Sequence, residues 1–114
     1  MNGKQIFILA KYNRDKVKRI EQRIDRWAKE HGLYWKITHC RVDQNNNYVT
    51  GEQFAKYLKT KEGTVARLIN DKNDTERYIG TANCSPKDNY DRLVGRVIAK
   101  IRAKKMWHLF NKCP

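Results

Sequence analysis

Tyr78-Ile79-Gly80-Thr81-Ala82-Asn83-Cys84-Ser85-Pro86-Lys87-Asp88-Asn89-Tyr90-Asp91, with the basic and apolar run that follows it to about Lys105, decides how this chain folds. Alternation at Tyr78, Gly80, Ala82 and Cys84 predicts a strand. Ser85-Pro86 ends it, because proline has no amide hydrogen to give to a ladder. A helix follows, either capped by Ser85 with Pro86 as its first residue, or capped by Asp88 with Asp91 three residues on. Both arrangements set acidic side chains near unpaired amides and the positive end of the helix dipole. Beyond that start, Tyr90, Val94, Val97, Ile98 and Ile101 recur at helical spacing on one side, while Arg92, Arg96, Lys100 and Lys104 form an i, i+4 row on another. The expectation is a core-facing side and an exposed basic stripe. Gly80 and Gly95 lie inside these regular elements, where glycine costs about 0.5–1 kcal/mol against alanine, so they are read as marking a close approach of strand and helix.

The pattern Gly80-Thr81-Ala82-x-Cys84-x-Pro86-x-Asp88-x-Tyr90-Asp91, then Gly95, Ala99 and Arg102-Ala103, resembles the closing strand and helix of small bacterial and phage proteins with a double-stranded-RNA-binding-domain-like fold. The resemblance covers residues 77 to 105 and implies a fold more than an activity. RNA-binding members of that wider superfamily carry a Gly-Pro-x-His-type loop between strands and a Lys-Lys-x-x-Lys cluster at the helix start. Here the loop is Asp71-Lys72-Asn73-Asp74 and the helix opens with acids, which departs from that pattern and argues against binding of double-stranded RNA in the usual manner.

Upstream, Thr64 to Asn70 alternates Val65, Arg67 and Ile69 against Thr64, Ala66 and Leu68, and pairs with the strand from Arg77 as a hairpin. Leu33 to Val42 alternates as well, with Leu33, Trp35 and Ile37 on one side and Tyr34, Lys36 and Thr38 on the other. Trp35 belongs to the core side. Between these strands, Asp43-Gln44-Asn45-Asn46-Asn47 is a polar turn without the spaced carboxylates of a calcium loop. Thr50 and Gln53 suit a capping box for a short helix bearing Phe54, Tyr57 and Leu58 and ending at Gly63.

At the N-terminus, Lys4 to Lys11 is short, apolar and β-prone, and is read as a first strand. Asn13 caps a helix in which Val17, Ile20, Ile24, Trp27 and Ala28 recur at helical spacing, and His31-Gly32 stops it. Asp15 with Arg19, Asp25 with Lys29 and Arg26 with Glu30 have i, i+4 spacing, which reads as a salt-bridged solvent face. At the other end, Met106-Trp107-His108-Leu109-Phe110 follows a helix ending near Lys105. Two readings of this tail, residues 106–114, stay open: it closes the core of its own chain, or it buries itself against a second copy in a homo-oligomer. The whole reads as a single α+β domain over 1–114, a small, largely antiparallel sheet packed by helices in the order β-α-β-α-β-β-α.

The chain has 114 residues, 25 Lys+Arg against 12 Asp+Glu, and a formal charge of +13 at pH 7. Such a field attracts polyanions and nucleotides; the plain alternative is a well-solvated surface. Ile6-Phe7-Ile8-Leu9-Ala10 is too short for a membrane span or a signal-peptide core, so a cytoplasmic protein with no membrane partner is expected, in the host cytoplasm if phage-encoded. Cys40, Cys84 and Cys113 are an odd count without C-x-x-C spacing. That spacing argues for reduced thiols, and against zinc held with His31, His39 or His108.

Catalytic signatures are missing. His39 and Cys40 are adjacent in a strand and point to opposite faces, Asp88 and Asp91 are explained by capping, and no phosphate-binding or nucleophile-elbow motif occurs. A non-enzymatic binding protein without cofactor or metal is expected. Its phosphate contacts are assigned to Arg92, Arg96, Lys100 and Lys104, flanked by Arg102 and Lys105, with Arg67, Arg77 and Lys87 framing the hairpin. Tyr12, Tyr48 and Tyr78 are candidates for stacking on bases. The first function that fits is a nucleic-acid binder, RNA included, that reads backbone and shape. Size and architecture are also similar in a general way to small phage anti-defence proteins. Thoeris anti-defence sponges sequester cyclic nucleotide or cyclic ADP-ribose-type signals, and anti-CRISPR-like inhibitors act on host nucleases directly.

Overall fold

Asn2 accepts a hydrogen bond from the Gln5 amide at 2.9 Å, and the Gln5 side chain accepts one from the Asn2 amide at 2.8 Å. This reciprocal box satisfies two of the amides that a helix start leaves orphaned. A helix, α1 (Gly3–Tyr12), therefore stands where the apolar run predicts a strand. Short apolar runs have no periodicity long enough to separate the two, and the cap decides. Gly3, Ile6, Phe7 and Ala10 turn inward at helical spacing, whereas Ile8 is 46% exposed.

The computed structural model describes residues 2–42, 48–49, 61–70, 77–83 and 91–111. Asn13 ends α1, its amide donating to the Leu9 carbonyl at 2.7 Å, and its side chain caps α2 (Arg14–Glu30) by accepting from the Lys16 amide at 3.1 Å. Gly32, at φ +68°, makes the left-handed turn that releases the chain into β1 (Leu33–Val42). Then come β2 (Tyr48–Val49), β3 (Lys61–Asn70), β4 (Arg77–Asn83) and α3 (Arg92–Phe110).

The fold is α+β, but the order among the described residues is α-α-β-β-β-β-α rather than β-α-β-α-β-β-α. All strands pair antiparallel in the order β2-β1-β3-β4. The register sets Trp35 beside Leu68 and Tyr78, and Ile37 beside Ala66 and Gly80, so one face of the sheet presents these residues to the helices. Gly63, expected to end a helix, lies inside β3. The helix expected from Thr50, the loops 43–47 and 71–74, and the caps Ser85 and Asp88 lie outside the described residues.

α3 begins at Arg92, capped by Asp91, whose Oδ1 accepts from the Leu93 and Val94 amides at 3.0 and 3.4 Å. The other carboxylate oxygen takes the guanidinium of Arg14, tying the starts of α2 and α3 together. α3 lies on β4 through a stripe of small residues, Gly95, Ala99 and Ala103, all buried. A β-carbon at Gly80 would collide with the Ala99 carbonyl oxygen and the Ala103 amide nitrogen and sit 3.1 Å from the Ala99 carbonyl carbon. Gly80 thus marks the expected close approach, and Gly95 is buried in the same stripe.

α3 also runs on to Phe110, so residues 106–110 continue the helix instead of forming a separate tail. Trp107 packs on the cluster of Ala28, Leu33, Leu68 and Ala103 and meets Trp27 edge-on at 5.2 Å. Leu109 and Phe110 are exposed. Ile6, Val17, Leu93, Val94 and Val97 form a second cluster where the three helices meet. Among the described residues, no helix is long and apolar enough to cross a membrane.

Candidate anion-binding groove

The apolar stripe of α2 runs Val17, Ile24, Ala28, and Glu21 falls inside it. On α3 the stripe Leu93, Val97 is continued by Lys100. A charge inside a buried stripe needs a partner, and here each helix supplies the other's. Arg96 clasps Glu21 through two hydrogen bonds, one of them Nη2 to Oε1 at 2.8 Å. Lys100, its side chain 6% exposed, donates to Asp25 at 2.7 Å and lies 3.2 Å from Glu21. Its ammonium also sits 5.6 Å from the centre of the Trp35 ring. Burial pushes the Glu21 carboxyl up, but the hydrogen bonds and charges of Arg96 and Lys100 together outweigh it and hold the group below its ordinary 4.5. The Glu21 hydrogen bond correspondingly raises Arg96.

The expectation of an exposed α3 stripe is thereby corrected at Arg96 and Lys100. These cations are inside the α2–α3 seam because α2 places two carboxylates against them. The expected pairs along α2 are corrected with it. Among the described residues Asp25 pairs with Lys100 rather than Lys29, and neither Arg19 nor Arg26 makes an ion pair. Of the four acids of α2, Glu21 and Asp25 are engaged by α3, whereas Asp15 and Glu30 stay exposed among the helix's cations.

Those cations meet the outer end of the α3 row across a groove of about 580 Å³. Its floor is aliphatic, built from Ile20 and Ile24 of α2 and Ile101 of α3. Lys16 and Arg23 form one wall, and Lys104, Lys105 and His108 the other. Positions 16, 20, 23 and 24 share one side of α2, and 101, 104, 105 and 108 one side of α3, so two amphipathic edges meet here. Lys104 holds its ammonium 4.8 Å from the centre of the Trp27 ring, and His108 lies 5.5 Å from the same ring and 5.1 Å from Trp107. Arg19 and Arg26, exposed on α2, extend the basic wall at three-residue steps from Lys16 and Arg23. Among the described residues no carboxylate forms an ion pair with Lys16, Arg23, Lys104 or Lys105.

The residues assigned from sequence are not gathered into one site. Lys104 lines the groove, Arg92 is exposed at the far end of α3, and Arg96 and Lys100 are paired. Arg102 donates to the Thr81 carbonyl at 2.6 Å. Arg67 belongs to the sheet face turned away from the helices, where it donates to Thr38 at 3.3 Å. Lys87 and the side chains of Arg77 and Tyr48 lie outside the described residues. Tyr12 is 85% exposed, but Tyr78 is corrected as a free stacking surface: it packs on the core beside Trp107, and its hydroxyl accepts from Asn111 at 3.2 Å.

Lys16, Arg23 and His108 were missed. Their signal was indirect, because Glu21 interrupting the α2 stripe marks the side of that helix that turns a carboxylate toward α3. Among the described residues no group of three or more His, Cys, Asp or Glu gathers as a metal site. Cys40 is partly buried, and burial raises its thiol against the pull of Arg67. Compared with family models, curated proteins and solved structures, the chain matches none.

Proposed function

We propose that this protein is a non-enzymatic binder of a phosphate-bearing partner, nucleic acid above all, engaged through the α2–α3 groove and the basic wall of α2 beside it. One observation carries the reading: Glu21 and Asp25 are taken up by Arg96 and Lys100, and among the described residues Lys16, Arg23, Lys104 and Lys105 line the groove without an ion pair to a carboxylate. Cations with no internal partner bind phosphate by releasing its counterions, and the formal +13 of the whole chain adds attraction at a distance. The contacts available are to backbone phosphates, which position a nucleic acid without reading its sequence.

Titration of a labelled nucleic acid over a range of salt tests this. Affinity is expected to fall steeply with salt, the logarithmic slope dropping by about 1 for each of Lys16, Arg23 and Lys105 changed to Gln. Binding that ignores salt, or a triple variant that binds as the parent does, would overturn the proposal.

A further inference from the structure

We infer that the α2–α3 groove seats one unpaired nucleotide, its base on the isoleucine floor and its phosphate between the two basic walls. This rests on the function proposed above and narrows it. A duplex offers its charged exterior and would leave the half-buried Ile20 and Ile101, which flank the buried Ile24, with their open sides facing water. An aliphatic floor favours only a ligand with an apolar face, and a base shows that face when it is out of the stack. The volume, about 580 Å³, suits a single small-molecule unit and not a helix.

The walls suit the other half of such a ligand. Lys16 and Arg23 stand on one helix and Lys104 and Lys105 on the other, so a phosphate between them is approached from both sides. Lys104 is already held over the Trp27 ring, which lowers the ordering cost of using it. Beyond the groove, Arg19 and Arg26 continue along α2 for the neighbouring phosphates of a strand. The chemistry recognised is a nucleobase joined to phosphate, whether free or within a single strand.

Trp27 touches Lys104 and His108, so the protein reports occupancy by its own tryptophan emission. Four probes separate the possibilities: adenosine monophosphate, inorganic phosphate, a short single-stranded oligonucleotide, and the duplex of the same sequence. The single strand is expected to bind about tenfold tighter than the duplex at equal phosphate number. Adenosine monophosphate should shift the emission and compete with the strand, while inorganic phosphate at the same concentration should do neither. Ile101→Gln should abolish the preference for single strand and leave the salt slope intact. If that variant does not fold, competition by adenosine monophosphate against Lys105→Gln, which should weaken it severalfold, decides instead.

Duplex binding equal to or tighter than single strand, with no emission change from adenosine monophosphate, would overturn the nucleotide seat and leave backbone binding standing. Free adenosine monophosphate binding as tightly as the strand would place the seat with a free nucleotide rather than a polymer and uphold the pocket chemistry. Absence of binding by every probe would overturn both readings.

Discussion

Lys100 and Lys104 are neighbours in one i, i+4 row of α3, each with its ammonium over a tryptophan ring, 5.6 Å from Trp35 and 4.8 Å from Trp27. Their surroundings are otherwise opposite. Lys100 is buried against Glu21 and the half-exposed Asp25, whereas Lys104 lines an open groove beside Lys105 and, among the described residues, pairs with no carboxylate. A basic row on a helix is therefore not one surface. What each cation does is set by the residue on the facing helix, one turn at a time. On the inner side charge is balanced and desolvated, which makes it structural; on the outer side it is unbalanced and wet, which makes it available to a ligand.

The contact that holds α3 against the sheet also fixes which of its residues face inward, and breaking it carries the largest expected effect. Gly80→Val places side-chain atoms against the backbone of Ala99 and Ala103, atoms that cannot move without the helix. We expect a loss of more than about 3 kcal/mol, at the upper end of overpacking costs and a large part of a small domain's stability. A denaturant midpoint matching the parent's would show that α3 does not lie on β4 as described, and the inner and outer sides of the row would have to be redrawn.

Next in size is Glu21→Gln. The carboxylate that Arg96 and Lys100 share is replaced by a neutral amide, leaving Lys100 with the half-exposed Asp25 and the Trp35 ring. The expected cost is about 3 kcal/mol, the low end for breaking a buried pair. Lys100→Met should cost less, because Glu21 then keeps Arg96 and the buried ammonium is gone. Equal melting temperatures for Glu21→Gln and the parent would reduce the seam to a surface feature and erase the comparison.

Acid should separate the two sides without mutation. Glu21 and Asp91 are both held below their ordinary values, 4.5 and 3.8. For Asp91, burial raises the group, but the Arg14 hydrogen bond and charge and the Leu93 and Val94 amides together lower it further. A depressed carboxylate contributes stability that is complete above its unfolded value and is lost as pH falls through its folded value. Stability should therefore be flat with respect to these groups above about pH 5 and decline below about 4.5 as first the unfolded and then the folded forms protonate. Glu21→Gln should flatten part of that decline. An identical acid profile in parent and variant would show that Glu21 is not coupled to folding.

How much of this was legible depended on whether the signal was local. The strand Leu33–Val42 matches its reading end to end, since alternation, Gly32 before it and the turn residues after it lie within a few positions. Asn13 and Gly80 were readable for the same reason, one by its cap chemistry and one by its cost in a strand. Ile6 to Ala10 suits either period, so the strand expected there gives way to α1, and the cap formed by Asn2 with Gln5 decides between them. The site was harder. Glu21 and Arg96 are 75 residues apart, and nothing near either one names the other. Only Glu21 inside the stripe Val17, Ile24, Ala28, and Lys100 after Leu93 and Val97, hinted that the two helices exchange charges.

Stability should change least when the groove cations themselves are reversed. Lys16→Glu with Lys105→Glu changes two groove residues that make no ion pair among the described residues, so no ion pair described there is lost. Surface changes of this kind stay within about 0.5 kcal/mol. The sign should be favourable, because each new carboxylate lowers the repulsion among Arg23, Lys104 and the remaining cations. Added salt screens that repulsion, so it should raise the parent's melting temperature more than the variant's. Affinity for nucleic acid should meanwhile fall, with a shallower salt slope. Charge removal would then destabilise the inner side at Glu21 and spare or help the outer side at Lys16 and Lys105. Were the double variant to lose as much stability as Glu21→Gln, the groove cations would be part of the fold's own framework, and their availability to a ligand would no longer follow from their position.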